Sequence, residues 1–404
     1  MRLEVYIGTT SLEESNDFLR RLWAELAKEF GKCAWNYTPI KKENKIFLGW
    51  IDINQNKSMY VQISFKKKGT INTISLKYSS SGIDLLWDGE DVPKDSELYR
   101  RINAVIKRVK NGISRNVISF KIAISSQFPL CSYVGENFSI EELGSGKTVF
   151  ISRVKAYDSN QGNGYMIKKS NELIDFLSVE TNSQFNTTSF PENEIVVENQ
   201  VEVFNEESDF IDGLSLVSKQ LVISKEGKAF IDIFTSPDER APEVELFLNA
   251  CSHFHAARTI EQTMYERHDI GIVQVNGKNK TELASTLYLS SLEVATLIGF
   301  KEEKCECCGQ SKYNITKRVR EMVRKYLPEN IAKNFVRYYD MRSKYLHKGL
   351  RMINDTPTET SIPLLDPDDP TGCSYPIKIP ILNLREYVSY CLRHFYKDYF
   401  IKSL

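Results

Sequence analysis

The sequence predicts an α+β chain, with a β-rich N-terminal part and an all-α C-terminal bundle. Two observations lead to that expectation. Short runs of alternating apolar and polar residues dominate the first half, whereas from about Phe210 the apolar residues recur at helical spacing. At 404 residues the chain is too long for one ordinary core. The expected division is residues 1–205 for a β-rich sensing or regulatory domain, 206–240 for an acidic connector with the first helices, and 241–404 for a helical bundle.

In chain order, the period of the apolar residues predicts a helix at about Glu13 to Phe30 and another over "ELYRRINAVIKRVK", Glu97 to Lys110. The runs "KIFLGWIDI", "MYVQISF", "TINTISLKY" and "VISFKIAIS", separated by Gly, Asn and Ser, read as strands and hairpins. In "LGSGKTVF", Gly146, Lys147 and Thr148 copy the end of a phosphate-binding Walker A loop. Glu141 stands where its first glycine should be, and "VFISRVKAY" reads as a strand rather than the helix such a loop needs, so a turn between strands is expected.

The second half begins with "VELFLNACSHFHAARTIEQTM" and "TELASTLYLSSLEVATLIGF", both helical in period. In "NITKRVREMVRKYL", Ile315, Val319, Met322, Val323 and Tyr326 share a face, and Pro328 is expected just inside the next helix. That next helix carries "YYDMRSKYLHKG". Residues 351–380 then hold six of the 13 prolines, which suits a lid, a substrate-guiding segment or disorder, before a last helix, "LNLREYVSYCLRHFYKDYFI".

Composition bounds the function. With 41% hydrophobic and 26% charged residues and no apolar run long enough to cross a bilayer, the chain reads as a soluble globular protein with no membrane partner. The opening "MRLEVYIGTT" lacks the apolar core of a secretory signal, so a cytoplasmic location is expected. Net charge is zero, yet Lys317 to Lys348 holds ten Lys or Arg against three acids, while Glu192 to Asp212 holds eight acids and no Lys or Arg. A basic C-terminal functional surface and an acidic connector follow, against the plainer reading of two solvated faces.

Eight cysteines are too sparse for a disulfide framework. In "KCECCGQ", Cys305 and Cys308 followed by Gly309 have the C-x-x-C-G form of a zinc knuckle, half of a structural zinc site. Cys391 and His394, or Cys373, Cys251, His253 or His255, would have to complete it. The competing reading is a polar loop with reduced thiols.

Arg342 poses the main question. Phe335, Tyr339, Leu346 and Leu350 recur at helical spacing and Arg342 falls into their row, where a buried guanidinium is costly unless something anionic meets it. Either it snorkels or pairs with an acid such as Asp340 or Glu293, or it lines a groove for phosphate. Four residues, "SKYL", separate it from His347, giving an R-x4-H pattern late on a basic helix, after "SSLEVATLIG" and before "LNLREYVSY".

That combination resembles the HEPN superfamily, and more closely its ApeA-like branch of prokaryotic defence proteins, over roughly residues 240–404 and most strongly over Thr281 to Gly349. The resemblance implies a dimeric, metal-independent endoribonuclease needing no cofactor for catalysis, whose motifs meet across a two-fold axis. Arg342 and His347 would be the motif arginine and histidine. Ser343 stands where many members have Asn, Asp or His. Ser343, Lys344, Tyr345 and Lys348 flank the motif and would hold the RNA backbone or stack a base. The implied biology is abortive infection against phage, with tRNA or other host or phage RNA as substrate. The N-terminal half would restrain a toxic activity or read a phage-derived trigger. The alternative is an inactive HEPN module that dimerises or binds RNA or a nucleotide.

The chemistry stands apart from the name. RNA brings its own nucleophile in the 2′-hydroxyl, so cleavage needs an acid or base near neutral pH and positive charge around the phosphorane-like transition state. Histidine and arginine supply these. On one straight helix, however, positions five apart lie roughly 140° from each other around the axis, so two helices are needed to surround one phosphate.

Overall fold

The computed structural model describes the chain except residues 1–2, 32, 41–43, 55–56, 80–89, 92, 145–146, 194–201, 208, 238–239, 263–264, 269–270, 275–276, 302, 305–306, 308–310, 313, 351, 353–363, 366, 368–371, 375–380 and 403–404. The α+β class holds. Two compact units form, Met1–Val117 with Lys155–Gly162, and Ile118–Val154 with Asn163–Leu404.

The first unit runs β1 (Leu3–Tyr6), α1 (Leu12–Phe30), β2 (Cys33–Ile40), β3 (Lys45–Asn54), β4 (Lys57–Ser64), β5 (Thr73–Ser79), β6 (Glu90–Asp91) and α2 (Glu97–Asn111). Its sheet has the order β1-β5-β4-β3-β2, with β6 also on β5, and every pair is antiparallel. Ser11 and Ser96 cap the two helices by accepting from the Glu14 and Tyr99 N–H groups. Their apolar faces, Phe18, Leu22 and Leu26 with Ile102, Val105 and Val109, share one core with Ile51, Val61 and Ile74 of the sheet.

In the second unit a sheet comes first: β7 (Asn116–Ser126), β8 (Tyr133–Val134), β9 (Phe138–Gly144), β10 (Lys147–Ala156), then α3 (Ser159–Thr181), β11 (Phe185–Thr187) and β12 (Glu192–Asn193). The strand order is β11-β7-β10-β9-β8, with β12 on β7. Helices follow: α4 (Lys225–Thr235), α5 (Pro242–Gln262), α6 (Gly277–Ala295), α7 (Ile315–Tyr326), α8 (Glu329–Lys348) and α9 (Ile381–Tyr396), the last continued by a π-helical turn, Lys397–Ile401. The expected division after residue 205 differs from this grouping. Phe120, Ile124 and Phe150 of the sheet belong to the same core as Phe247, Leu289 and Leu392 of the helices.

The element that fuses them is α3, a helix not among the two expected within the β-rich residues 1–205. From Glu172 to Thr181 every residue but Asp175 is buried, so no amphipathic period marks the helix. Phe176 packs against Phe230 and Phe234 of α4 and Tyr396 of α9, with ring centroids 5.0, 5.8 and 5.2 Å away. One turn on, Glu180 is a buried carboxylate satisfied from the same two helices. Its Oε1 accepts from the Ser224 N–H (2.9 Å) and hydroxyl (2.5 Å), and its Oε2 from the Tyr396 hydroxyl (2.8 Å). Ser224 caps α4, so the carboxylate also faces the positive end of that helix.

Among the described residues no helix is long and apolar enough to cross a membrane. Most of the proline-rich stretch 351–380, and with it the expected lid, lies outside the described residues. Met352 is buried, its N–H donating to Glu282 at 2.7 Å.

Gly227, in the first turn of α4, tests the Glu180 arrangement. A Cβ there would lie 2.8 Å from Glu180 Oε1, an atom held by two hydrogen bonds from Ser224 in a carboxylate whose other oxygen is held by Tyr396. Gly→Ala inside a helix ordinarily stabilises by up to about 1 kcal/mol. Gly227→Ala is instead expected to lose about 1–3 kcal/mol through overpacking, measured by urea unfolding.

Candidate functional site

The candidate site is built on α8, whose length is set at both ends. Pro328 occupies the cap position with ψ 149°, one residue before the helix proper rather than inside it as expected. At the other end Gly349 takes a left-handed φ of +65°, its N–H donating to the Tyr345 carbonyl (3.1 Å) and that of Leu350 to the Lys344 carbonyl (3.3 Å). The helix therefore stops at Lys348, leaving His347 in its last turn.

The apolar stripe expected on α8 is half realised. Phe335 and Tyr339 are buried, whereas Leu346 and Leu350 are 49% and 53% exposed. Arg342 sits where the buried part ends, its side chain 19% exposed. Of the two acids considered from the sequence, Glu293 of α6 takes it: Nη1 donates to Oε1 at 2.8 Å and Nη2 to Oε2 at 3.1 Å, with Nη2 also donating to Ser290 Oγ at 3.1 Å. Asp340 pairs instead with Lys344, at 2.6 Å.

A third charge belongs to this cluster. Arg318 of α7 stacks on the Phe300 ring, its Cζ 4.3 Å from the centroid, and its positive field reaches Glu293. Burial raises the Glu293 carboxyl above its ordinary pKa, and Arg342, Arg318 and the Tyr339 hydroxyl pull it back down. Burial lowers Arg318 in turn, with Glu293 opposing. The Tyr339 hydroxyl donates to the Leu289 carbonyl at 3.1 Å, and burial holds its phenol well above the usual range, so it stays a neutral group. Arg342 Nε and Arg318 Nε and Nη1 are buried with no hydrogen-bond partner among the described residues. Two guanidinium groups thus share one carboxylate. The cluster carries an excess positive charge that an oxyanion would balance.

The remaining predicted residues scatter around this cluster. His347, Ser343, Lys344 and Lys348 are exposed, and Tyr345 is half-buried against the bundle core. Within one chain Arg342 is held toward α6 while His347 stands in solvent, so the two do not meet at one point. Sequence reasoning passed over Arg318 and Ser290. Arg318 was visible only as one charge in the basic run, and nothing local marks Ser290.

For the metal half-site, Cys305 and Cys308 lie outside the described residues. Cys251 and Cys391 are buried in the core, and His255 has both ring nitrogens engaged, Nδ1 2.7 Å from Asp175 Oδ1 and Nε2 2.8 Å from the Phe185 carbonyl. His394 Nε2 lies 3.3 Å from Asp209 Oδ1, and its ring sits 4.3 Å from that of Tyr390. Among the described residues no group of three or more His, Cys, Asp or Glu is arranged to hold a metal. Lys147 is the exposed first residue of β10 in an antiparallel hairpin with β9, opposite Gly144. It stands on a strand, not at a helix N-terminus.

The Arg342–Glu293 pair is expected to show strong coupling in a double-mutant cycle. Arg342→Ala and Glu293→Ala should each cost about 1–3 kcal/mol in urea unfolding, each leaving a partly buried charge unpaired, and the double mutant should cost less than their sum. Simple additivity would mean that the pair contributes nothing to the fold. No protein-family model, curated protein or solved structure matches the chain.

Proposed function

We propose that this chain is a metal-independent endoribonuclease of the HEPN type, acting as a homodimer. One observation carries the reading: α8 holds Arg342 at the edge of the bundle and exposes His347 in its last turn, beside the uncovered apolar side chains Leu346 and Leu350. A second copy of the same helix end would cover those leucines and bring two imidazoles and two guanidinium groups around one cleft. The exposed cations Lys333, Arg337 and Lys348 of α8 suit a polyanion.

In the proposed reaction an imidazole takes the proton of the RNA 2′-hydroxyl as its oxygen bonds to phosphorus. The bond from phosphorus to the 5′-oxygen breaks, that oxygen takes up a proton, and a 2′,3′-cyclic phosphate and a 5′-hydroxyl remain. Arg342 steadies the charge on the equatorial oxygens. Of its five N–H bonds, two go to Glu293 and one to Ser290, which leaves one Nη1 hydrogen for a phosphate oxygen besides the buried Nε–H. Such an enzyme is toxic when unrestrained. Its proposed role is abortive infection against phage in the cytoplasm, with the N-terminal half restraining it or reading the trigger.

The Arg342–Glu293 pair also favours a second reading. A guanidinium already neutralised by a bidentate carboxylate suits an inactive HEPN module that dimerises or binds RNA. The two readings separate in one assay. In EDTA the full-length protein is expected to cut a labelled tRNA pool to fragments with cyclic-phosphate ends, and His347→Ala to slow this by at least ~100-fold. RNA binding without cleavage, equal in wild type and His347→Ala, would establish the binding module instead.

A further inference from the structure

We propose that the first unit contains a binding site for a small organic anion with an apolar body, of the class of a medium-chain carboxylate, in a cavity between α1 and the β3–β4 hairpin. The cavity measures about 630 Å³, within the range of sites that enclose small ligands. Protein cores are ordinarily filled to the density of organic crystals, so a space of this size beside an otherwise closed core stands out.

Its walls are hydrocarbon. Leu19 of α1, Ile46 and Leu48 of β3, Ile63 of β4, and Phe65 and Ile71 beyond it line the space. Ile63 and Ile71 are buried and form the floor. Ile46 and Leu48 reach it because alternate residues of a strand share a face, while Phe47 between them turns the other way, toward Trp50 and Tyr60.

The rim is polar and one-signed. Asn16, Asn44 and Lys68 line the cavity and are exposed, Lys45 lines it as well, and among the described residues no Asp or Glu is in the lining. An apolar chamber edged by ammonium groups and amides complements a hydrocarbon body that ends in a negative head, and opposes a cationic one. The site is also preformed. The loop bearing Lys68 is fastened to the start of α1 through Ser15, whose Oγ lies 2.9 Å from the Gly69 carbonyl, and the Ile71 N–H donates to Thr9 Oγ1 at 2.6 Å. A ligand entering there has little of the chain left to order.

Isothermal titration of the full-length protein with decanoate tests the proposal, and it does so independently of any RNA cleavage. One saturable site per chain is expected, with decyltrimethylammonium, which has the same tail and the opposite charge, binding at least about tenfold more weakly. Lys68→Glu is expected to weaken decanoate binding at least about fivefold by inverting the charge at the rim. Asn16→Trp, at an exposed position of α1, is expected to block the opening and abolish binding. Thermal melts of both variants should match the parent, since neither side chain supports the core. The proposal is overturned if decanoate gives no saturable heat, if the two amphiphiles bind alike, or if both folded variants bind decanoate as the parent does.

Discussion

One buried carboxylate organises the second unit. An unpaired anion with the exposure of Glu180, 3%, would cost several kcal/mol. Its three hydrogen bonds must therefore persist, and they come from the α4 cap and from α9. This requirement fixes two elements from distant parts of the chain, α4 and α9, around one turn of α3. α9 in turn packs on α6, and α6 carries Glu293 and Ser290 to α8. The position of Arg342 is thus the end of a chain of contacts that begins in the middle of the core.

The same helix fastens the acidic segment that the sequence presents as a connector. Arg393 of α9 is buried, stacks on the Phe210 ring with Cζ 3.6 Å from the centroid, and donates to the Phe210 carbonyl. Glu386 accepts from the Gly213 N–H at 3.2 Å, and His394 lies beside Asp209. Among the described acids of this segment, Asp209 lies beside His394 and within the field of Arg393. Leu221, Val222 and Ile223, just beyond, are fully buried, so the segment belongs to the core it was expected to connect.

What could be read from the sequence depended on whether the signal was local. The strand β7 and the helices α1 and α2 declare themselves because each has a buried and a more exposed face, which imposes a period of two or of 3.6. Residues 59–63 of β4 and 74–77 of β5 are instead buried throughout and are legible from the alternation of apolar and polar residue types alone. α3 has no solvated face over its second half and so no period to find. Which sheet shares a core with the helices is a long-range property that no window of residues contains. The choice between Asp340 and Glu293 for Arg342 was within reach. Residues two apart on a helix point to different sides, and those four apart to the same side, so Asp340 meets Lys344 and leaves Arg342 to a neighbouring helix. Only the identity of that neighbour needed the fold.

The geometry of α8 also limits what its motif can do. Glu293 binds the guanidinium through two parallel hydrogen bonds, so Arg342 cannot swing around the helix toward His347 without breaking a bidentate pair in a partly buried site. The imidazole cannot approach either, since Gly349 ends the helix and fixes the last turn. Chemistry that uses both residues on one phosphate must therefore take them from different copies of the chain. A structural role for Arg342 alone has no such requirement. The exposed Leu346 and Leu350 beside His347 are where the two cases part: an apolar surface at this point gains from a two-fold partner, and contributes nothing to a bundle that works alone.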